Sequence, residues 1–331
     1  MTKHDSRPSD RTRGVGWLAQ FGLPLALVVI CAALAVATPN FLTGMNLINV
    51  VRQISINGIL AIGVTYVLLT GGVDLSLGSI VALSGVVAAG FAHPGDYPVI
   101  VPVLLGVLAG TACGAVNGTI ITHGRVAPFI VTLGMMTAAR GLALVISHGK
   151  PVSNLSQEFT RLGGDLPGIQ LPIGHGAWAG LPIPVVILLA VALASVVFLN
   201  NLRLGRYVYA VGGNEHAALA AGIRVNAVKL FAYMVCGSLA GLAGVVLASR
   251  ITTGQPNAAM GYELDAIAAV VIGGTSLSGG IGGVGGTLLG ALLMGVINNG
   301  LDLLNVSSYY QQIIKGLIIV GAVWLDRSRA K

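Results

Sequence analysis

Charged residues are scarce in this chain of 331 residues: they make up 9% of it, whereas 55% of the residues are hydrophobic and the mean hydropathy is +0.87. Soluble globular domains carry roughly 25% charged residues, so the composition excludes both a water-soluble protein and a disordered chain. Four long runs contain no charge at all: 14–51, 97–124, 166–202 and 266–301. Because a membrane-crossing helix needs about 20 mainly apolar residues, the sequence predicts a multi-pass membrane protein.

Recognisable catalytic, metal and nucleotide motifs are also lacking. Cys31, Cys113 and Cys236 lie singly in apolar runs, which excludes a disulfide framework and favours packing roles. The phosphate-binding pattern G-x-x-x-x-G-K-[ST] is absent. Residues 280–285 match G-x-G-x-x-G, but they follow a predicted membrane helix rather than a strand, so the dinucleotide interpretation is discounted. We expect no catalytic residue, no metal, no cofactor bound by this chain and no nucleic-acid partner.

Apolar length and helix-breaking residues predict an all-α fold with about ten membrane helices, some broken by glycine. The predicted segments are 16–37, 48–70, 76–93, 98–122, 126–147, 181–202, 230–250, 265–278, 285–303 and 308–325. An apolar run that follows a basic tail also resembles a secretory signal. The first run exceeds the usual h-region of about 7–15 residues, so we interpret it as a membrane helix.

Basic residues predict how the chain is threaded. The net charge of +7 comes from the N-terminal tail, the 203–229 segment and the C-terminal tail. Basic residues beside membrane helices stay in the cytoplasm, so both termini and 203–229 are predicted to be cytoplasmic. The predicted layout is a tail over 1–14, one polytopic transmembrane domain over 15–326 and a tail over 327–331.

The outer loop at 148–180 leaves two interpretations open. It is either a solvated connector, with one short helix near 154–162, or a docking surface for a periplasmic partner. Its few charges among glycine and proline do not separate these alternatives.

Glycine is abundant, with 48 residues, and its spacing is informative. Glycines at every fourth position from Gly106 to Gly118, and again at Gly286 and Gly290, predict close helix packing. Residues 71–78 also match residues 273–280 at five of eight positions, and each copy follows an apolar run. Paired glycine interruptions in the two halves of a chain are a pointer to a transport pathway.

Polar residues in or near these apolar segments complete a tentative pathway set. The full set is Gly71, Gly72, Asp74, Ser76, Asn117, Arg140, Gly273, Gly274, Ser276 and Ser278. A charge at membrane depth costs at least about 2.5–3.5 kcal/mol, so Arg140 and Lys315 either line the pathway or form structural ion pairs. For Asp74 a structural role in its loop is favoured. For Asn57, Asn117, Asn298 and Asn299, hydrogen bonds between helices are favoured over a channel lining.

A short helix is predicted inside the 203–229 segment. Asn214 is a favourable N-cap, Glu215 places negative charge in the first turn, and Gly222 is a suitable C-terminal stop. A helix of about two turns is marginal alone, so it either lies on the bundle or docks, through its small alanine faces, into a partner.

Four ordered stretches resemble the membrane permease of ATP-binding cassette importers of the ribose and monosaccharide class. They are GGVDLSLGS at 71–79, NG at 117–118 with PFIVTLGMM at 128–136 and ARG at 139–141, GRYVYAVGGNEHAALAAGI at 205–223, and LDAIAAVVIGGTSLSGGIG at 264–282. The resemblance runs from about residue 40 to residue 325.

The resemblance implies a bacterial inner-membrane protein that moves a monosaccharide by alternating access. It implies a second permease copy, a cytoplasmic ATPase subunit that binds Mg-ATP, and a periplasmic sugar-binding protein. It also implies that the ATPase cleft receives the coupling helix, whose residues are Asn214, Glu215, Ala217, Ala218, Gly222 and Ile223. The alternatives are a secondary transporter or facilitator that works alone and, with less support because no catalytic cluster is visible, a membrane enzyme.

Overall fold

The computed structural model describes residues 10–174 and 177–329, so the predicted tails and outer loop lie partly outside the described residues. Within the described ranges the chain is mainly helical. The helices are α1 (Asp10–Ala37), α2 (Gly44–Leu69), α3 (Leu77–Gly90), α4 (Ile100–His123), α5 (Pro128–Ile146), α6 (Gln157–Thr160), α7 (Ile183–Asn201), α8 (Arg203–Gly213), α9 (Glu215–Ala220), α10 (Val225–Arg250), α11 (Tyr262–Ile272), α12 (Val284–Leu303) and α13 (Ser308–Arg329).

The predicted membrane segments coincide at least in part with helices. Among the residues that the structure describes, six helices are long and apolar enough to cross a membrane: α2, α4, α5, α7, α10 and α12. Helices α3 and α11 are too short for a full span, with 14 and 11 residues. At 1.5 Å per residue they span only about 21 and 17 Å, against a hydrocarbon thickness of roughly 30 Å. The prediction that a helix continues to residue 278 is wrong, because the chain turns at Gly273 and Gly274, the latter with φ +90°.

The expectation of a purely helical chain also needs one correction. An antiparallel hairpin, β1 (Asp165–Gly174) and β2 (Ala177–Pro182), occupies the end of the predicted outer loop. Glycine and proline are frequent here and mask the strand pattern. The short helix expected near 154–162 is present as α6 and the 3-10 turn Arg161–Gly163. Ser249 of α10 anchors it, since the Ser249 hydroxyl donates to the Phe159 carbonyl at 2.7 Å.

Glycine packing brings α4 against α10, as the four-residue repeat predicts. A Cβ on Gly110 would lie 2.3 Å from the Gly237 carbonyl oxygen, and a Cβ on Gly237 would lie 2.3 Å from that of Gly110. The two backbones are therefore in direct contact. The later pair, Gly286 and Gly290, also brings two backbones close together. A Cβ on Gly290 would lie 1.9 Å from the Ala269 carbonyl oxygen in α11.

Amides link helices at several buried positions. Asn46 of α2 and Asn299 of α12 exchange side-chain hydrogen bonds of 3.0 and 2.8 Å. Asn298 donates to Asp265 at 3.5 Å, and Asn117 donates to the Ser76 hydroxyl at 3.1 Å. The preference for interhelical bonding is confirmed for Asn298 and Asn299, whereas Asn117 bonds to the loop that precedes α3. Cys113 and Cys236 are free thiols in the core, in agreement with packing roles.

Candidate functional site: the α8–α9 unit and the glycine loops

Helix α9 has the predicted limits, and its caps are well formed. The Asn214 side chain accepts a hydrogen bond from the Ala217 amide at 2.9 Å. At the other end the Gly222 amide donates to Leu219, and the Ile223 amide donates to Ala218, both at 3.0 Å. With Gly222 at φ +80°, these bonds form a Schellman motif, a geometry that favours glycine. Local sequence therefore closes this helix at both ends.

The surface of α9 is largely free. Ala218 is buried, whereas Ala217 and the other side chains of the helix are exposed, including Leu219 at 54%. Glu215 forms an ion pair of 2.7 Å with Lys229 in the first turns of α10. Helix α9 is thus fixed to the bundle at one side and presents Glu215, His216, Ala217, Leu219 and Ala220 to the outside.

Helix α8 connects α9 to both glycine interruptions. A Cβ on Gly212 would lie 1.8 Å from the Leu69 carbonyl oxygen, and a Cβ on Gly280 would lie 2.7 Å from the Gly213 Cα. The Gly280 amide itself donates to Leu69 at 3.0 Å. We call this meeting point of residues 69–72, 212–213 and 279–280 the glycine junction. Three backbones touch there because each contributes glycine.

The Tyr209 side chain makes a second contact from α8 to the later glycine loop. Its hydroxyl donates to the Gly282 carbonyl at 3.1 Å. Burial raises the pKa of Tyr209, so the phenol keeps its proton and its donor role. A displacement of α8 would therefore act on both loops, through the contacts of Gly212 and Tyr209.

The two copies of the internal repeat meet at one end of the bundle. Helix α12 lies antiparallel to α2, because Thr65 pairs with Thr287 while Asn46 pairs with Asn299. It also lies antiparallel to α11, through contacts of Gly273 with Gly286 and of Asp265 with Asn298. Helices α2 and α11 therefore run in the same direction, and the glycine loops that follow them lie side by side.

The first glycine loop, residues 70–76, is anchored by buried polar side chains. One carboxylate oxygen of Asp74 accepts from the Ser76 amide at 2.9 Å and from the Ser76 hydroxyl at 2.5 Å. The Tyr233 hydroxyl donates to the Val73 carbonyl at 3.2 Å and fills the space next to Gly72. Asp74 and Ser76 are fully buried, and these contacts agree with the structural role expected for Asp74.

The second glycine loop, residues 273–283, depends more on backbone conformation. Gly274, Gly279, Gly280 and Gly282 all have positive φ. The Ser276 and Ser278 hydroxyls lie 2.8 Å apart, and the Ser276 amide donates to Ile281 at 3.0 Å. Gly273 is packed against Gly286.

Arg140 does not join the contacts of the glycine junction. Its Nη1 donates to the carbonyls of Pro256 and Ala258, at 2.6 and 2.9 Å, in the connection between α10 and α11. Lys315 forms an ion pair of 2.8 Å with the buried Asp265, a partner that the sequence analysis missed because it lies 50 residues away. Tyr209 and Gly212 were also missed, although the GG pair directly before Asn214 was a usable signal.

Comparisons with known proteins identify the family of this chain. A family model described as "Branched-chain amino acid transport system / permease component" matches residues 46–323. The chain belongs to this permease family. It is 46% identical to the ribose import permease of Bacillus subtilis and 47% identical to that of Escherichia coli K12, over 95% of both chains in each case.

A third relative is the D-allose transport system permease of Escherichia coli K12, with 38% identity over 94% of this chain and 93% of the relative. No solved structure matches the chain. Family membership and the six apolar helices make the protein a multi-pass permease of the inner membrane.

Proposed function

We propose that this chain is the membrane permease subunit of an ATP-binding cassette importer for a ribose-like monosaccharide. Support comes from the ribose and allose permeases, which align with it over nearly their whole length. In the proposed assembly two copies of the permease stand side by side, a cytoplasmic ATPase subunit binds Mg-ATP, and a periplasmic protein delivers the sugar. The chain itself needs no ATPase site, because the partner hydrolyses the nucleotide.

The proposed topology has ten membrane segments, with both termini and the α8–α9 unit on the cytoplasmic side. Helices α3 and α11 then cross only part of the bilayer, and their glycine loops lie at membrane depth. Irregular backbone survives there when it is enclosed by protein or lines a wet cavity, and the close contacts of Gly212, Gly279 and Gly280 support the first condition for part of the glycine junction. The 148–180 segment, with the hairpin, faces the periplasm.

The single observation that carries the proposed mechanism is the connection from α9 through α8 to both glycine loops. When the ATPase subunits close on ATP, the capped helix α9 moves with their cleft. Helix α8 transmits this movement through Gly212 and Tyr209 to the loops at the glycine junction. Alternating access then follows as the two permease copies rearrange around the sugar.

The test uses Gly222→Pro, with Gly222→Asn as the matched control. Proline fixes φ near −65° and cannot adopt the +80° of this position, whereas asparagine tolerates the left-handed region. In vesicles that contain permease, ATPase subunit and binding protein, Gly222→Pro should reduce ATP-driven uptake of labelled D-ribose at least about 100-fold, with the permease still inserted. Gly222→Asn should retain uptake.

The competing function makes the opposite prediction. Coupled uptake by the proline variant would contradict the role of α9 in transmission. Uphill accumulation of ribose by the isolated permease, without nucleotide, would support a secondary transporter that works alone and would overturn the proposal.

A further inference from the structure

A pocket with a few polar side chains among mainly apolar walls lies on a side of α5 that the rest of the bundle leaves uncovered. Its volume is about 520 Å³, within the range of small-molecule sites. Its polar lining includes Ser79 from α3, Thr137 and Arg140 from α5 and Glu263 from the start of α11, between apolar walls that include Met136 and Leu144. The pocket is distinct from the glycine junction and shares none of its residues.

The two charged residues of the pocket are fixed in place by the protein. Arg140 Nη1 donates to two backbone carbonyls, which orients the guanidinium plane. The Glu263 carboxylate is packed against Gly78, where an added Cβ would lie 2.3 Å from Oε2. Both residues lie in the described part of the chain, and among the ion pairs found there none joins Arg140 to Glu263. A donor fork and an acceptor therefore line one cavity without a direct ion pair between them.

The surroundings of these charges indicate what covers the pocket. Ionisable side chains in a membrane protein face a protein neighbour or a water-filled cavity rather than lipid. The opposite side of α5 carries apolar residues such as Leu142, which is 51% exposed and suits contact with lipid. In the proposed assembly, the side with Thr137, Arg140 and Gly141 would then face the aqueous path between the two permease copies.

Resting on the proposed function, we propose that this pocket is the sugar-contacting site of the pathway. Each sugar hydroxyl can donate one hydrogen bond and accept two, so neighbouring hydroxyls match the guanidinium of Arg140 and the carboxylate of Glu263, with the Thr137 hydroxyl as a third partner. The ligand is a neutral polyhydroxylated ring. The open side of the pocket, where Met260 is 72% exposed, allows the sugar to leave, as transport requires.

The first test measures ribose transported per ATP hydrolysed in vesicles with the ATPase subunit and the binding protein. Glu263→Gln removes the charge and Thr137→Val removes the hydroxyl at equal size. Each variant should lower this ratio at least about tenfold while ATP hydrolysis continues. Thr137→Ser should restore the wild-type ratio because it restores the hydroxyl, and Leu142→Val, on the other side of α5, should leave it unchanged.

The second test measures whether water reaches the pocket, independently of transport. A Cβ on Gly141 meets no atom within 4 Å, so Gly141→Cys fits. A charged, membrane-impermeant methanethiosulfonate reagent should modify Gly141→Cys, and D-ribose delivered by the binding protein should slow that reaction. Leu142→Cys should stay unmodified.

The outcomes separate the two proposals. Wild-type ribose-to-ATP ratios in both Glu263→Gln and Thr137→Val, or no modification of Gly141→Cys, would overturn the pocket while ATP-driven uptake by the wild-type complex stands. Failure of the wild-type complex to accumulate ribose would overturn the proposed function and, with it, the assignment of the pocket.

Discussion

The two glycine loops share sequence and chain direction, yet they are stabilised in different ways. In residues 70–76 the side chain of Asp74 bonds to Ser76 inside the core, and Tyr233 fastens Val73. In residues 273–283 four glycines take up positive φ, and the Tyr209 hydroxyl reaches the loop from α8. The first loop is anchored by buried side chains around Asp74 and Tyr233, whereas the second is anchored partly by α8 through Tyr209.

Because of this difference, we expect the two copies of the repeat to respond differently when α8 moves. A loop fastened by buried hydrogen bonds resists displacement, because breaking them leaves polar groups unsatisfied. A glycine-rich loop tolerates more backbone conformations and can follow α8. We therefore expect the loop at 70–76 to stay in place and the loop at 273–283 to move with α8, the two being joined by the hydrogen bond from the Gly280 amide to the Leu69 carbonyl.

The largest effect is expected from Gly212→Ala, which would force the two loops apart. The added Cβ would lie 1.8 Å from the Leu69 carbonyl oxygen and 2.6 Å from the Gly280 amide nitrogen, distances that backbone atoms cannot accept without moving. Overpacking of this kind costs about 1–3 kcal/mol or more. A lower thermal unfolding midpoint in detergent and a loss of ribose uptake should both be seen.

The chain supplies a matched control one residue away. Gly213→Ala adds the same methyl group where no atom lies within 4 Å. It should unfold at the wild-type temperature. Equal midpoints for the two alanine variants would contradict the close backbone contact at the glycine junction.

A smaller effect is expected from Asp74→Ala, which tests the fixed loop. The change removes the acceptor for the Ser76 amide inside the core, and an unsatisfied buried donor costs about 1–3 kcal/mol. The free energy of unfolding, measured in mixed micelles, should fall by that amount. Asp96→Ala, at an exposed position, serves as the control, and an equal change in both variants would mean that Asp74 does not anchor the loop.

Local chemistry made much of this arrangement predictable from the sequence. The caps of α9 at Asn214 and Gly222 depend on neighbouring residues alone, so a single sequence specifies them. The glycine repeat of α4 likewise predicted close packing, and the repeat at 71–78 and 273–280 marked two glycine loops, although it did not predict that they meet. The sequence did not predict which element each helix surface packs against, for example that α4 packs against α10.

Contacts between distant residues escaped the sequence analysis for a physical reason. The pairing of Lys315 with Asp265, and of Arg140 with the carbonyls of Pro256 and Ala258, depends on how helices are arranged rather than on local pattern. The end of α11 was placed too late because the charge-free run 266–301 continues past the turn at Gly274. The hairpin was missed because its glycines and prolines are typical of loops.

The smallest effect, and the most specific test of the movable loop, is expected from Tyr209→Phe. The change removes the hydrogen bond to the Gly282 carbonyl, which is worth about 0.5–1.5 kcal/mol, and keeps the ring. In the reconstituted importer it should lower the ribose transported per ATP about two- to fivefold, with little change in thermal stability. Tyr207→Phe, on the same helix and 39% exposed, should match the wild type. If both phenylalanine variants kept the wild-type ratio, α8 would have to transmit movement through the backbone contacts of Gly212 alone.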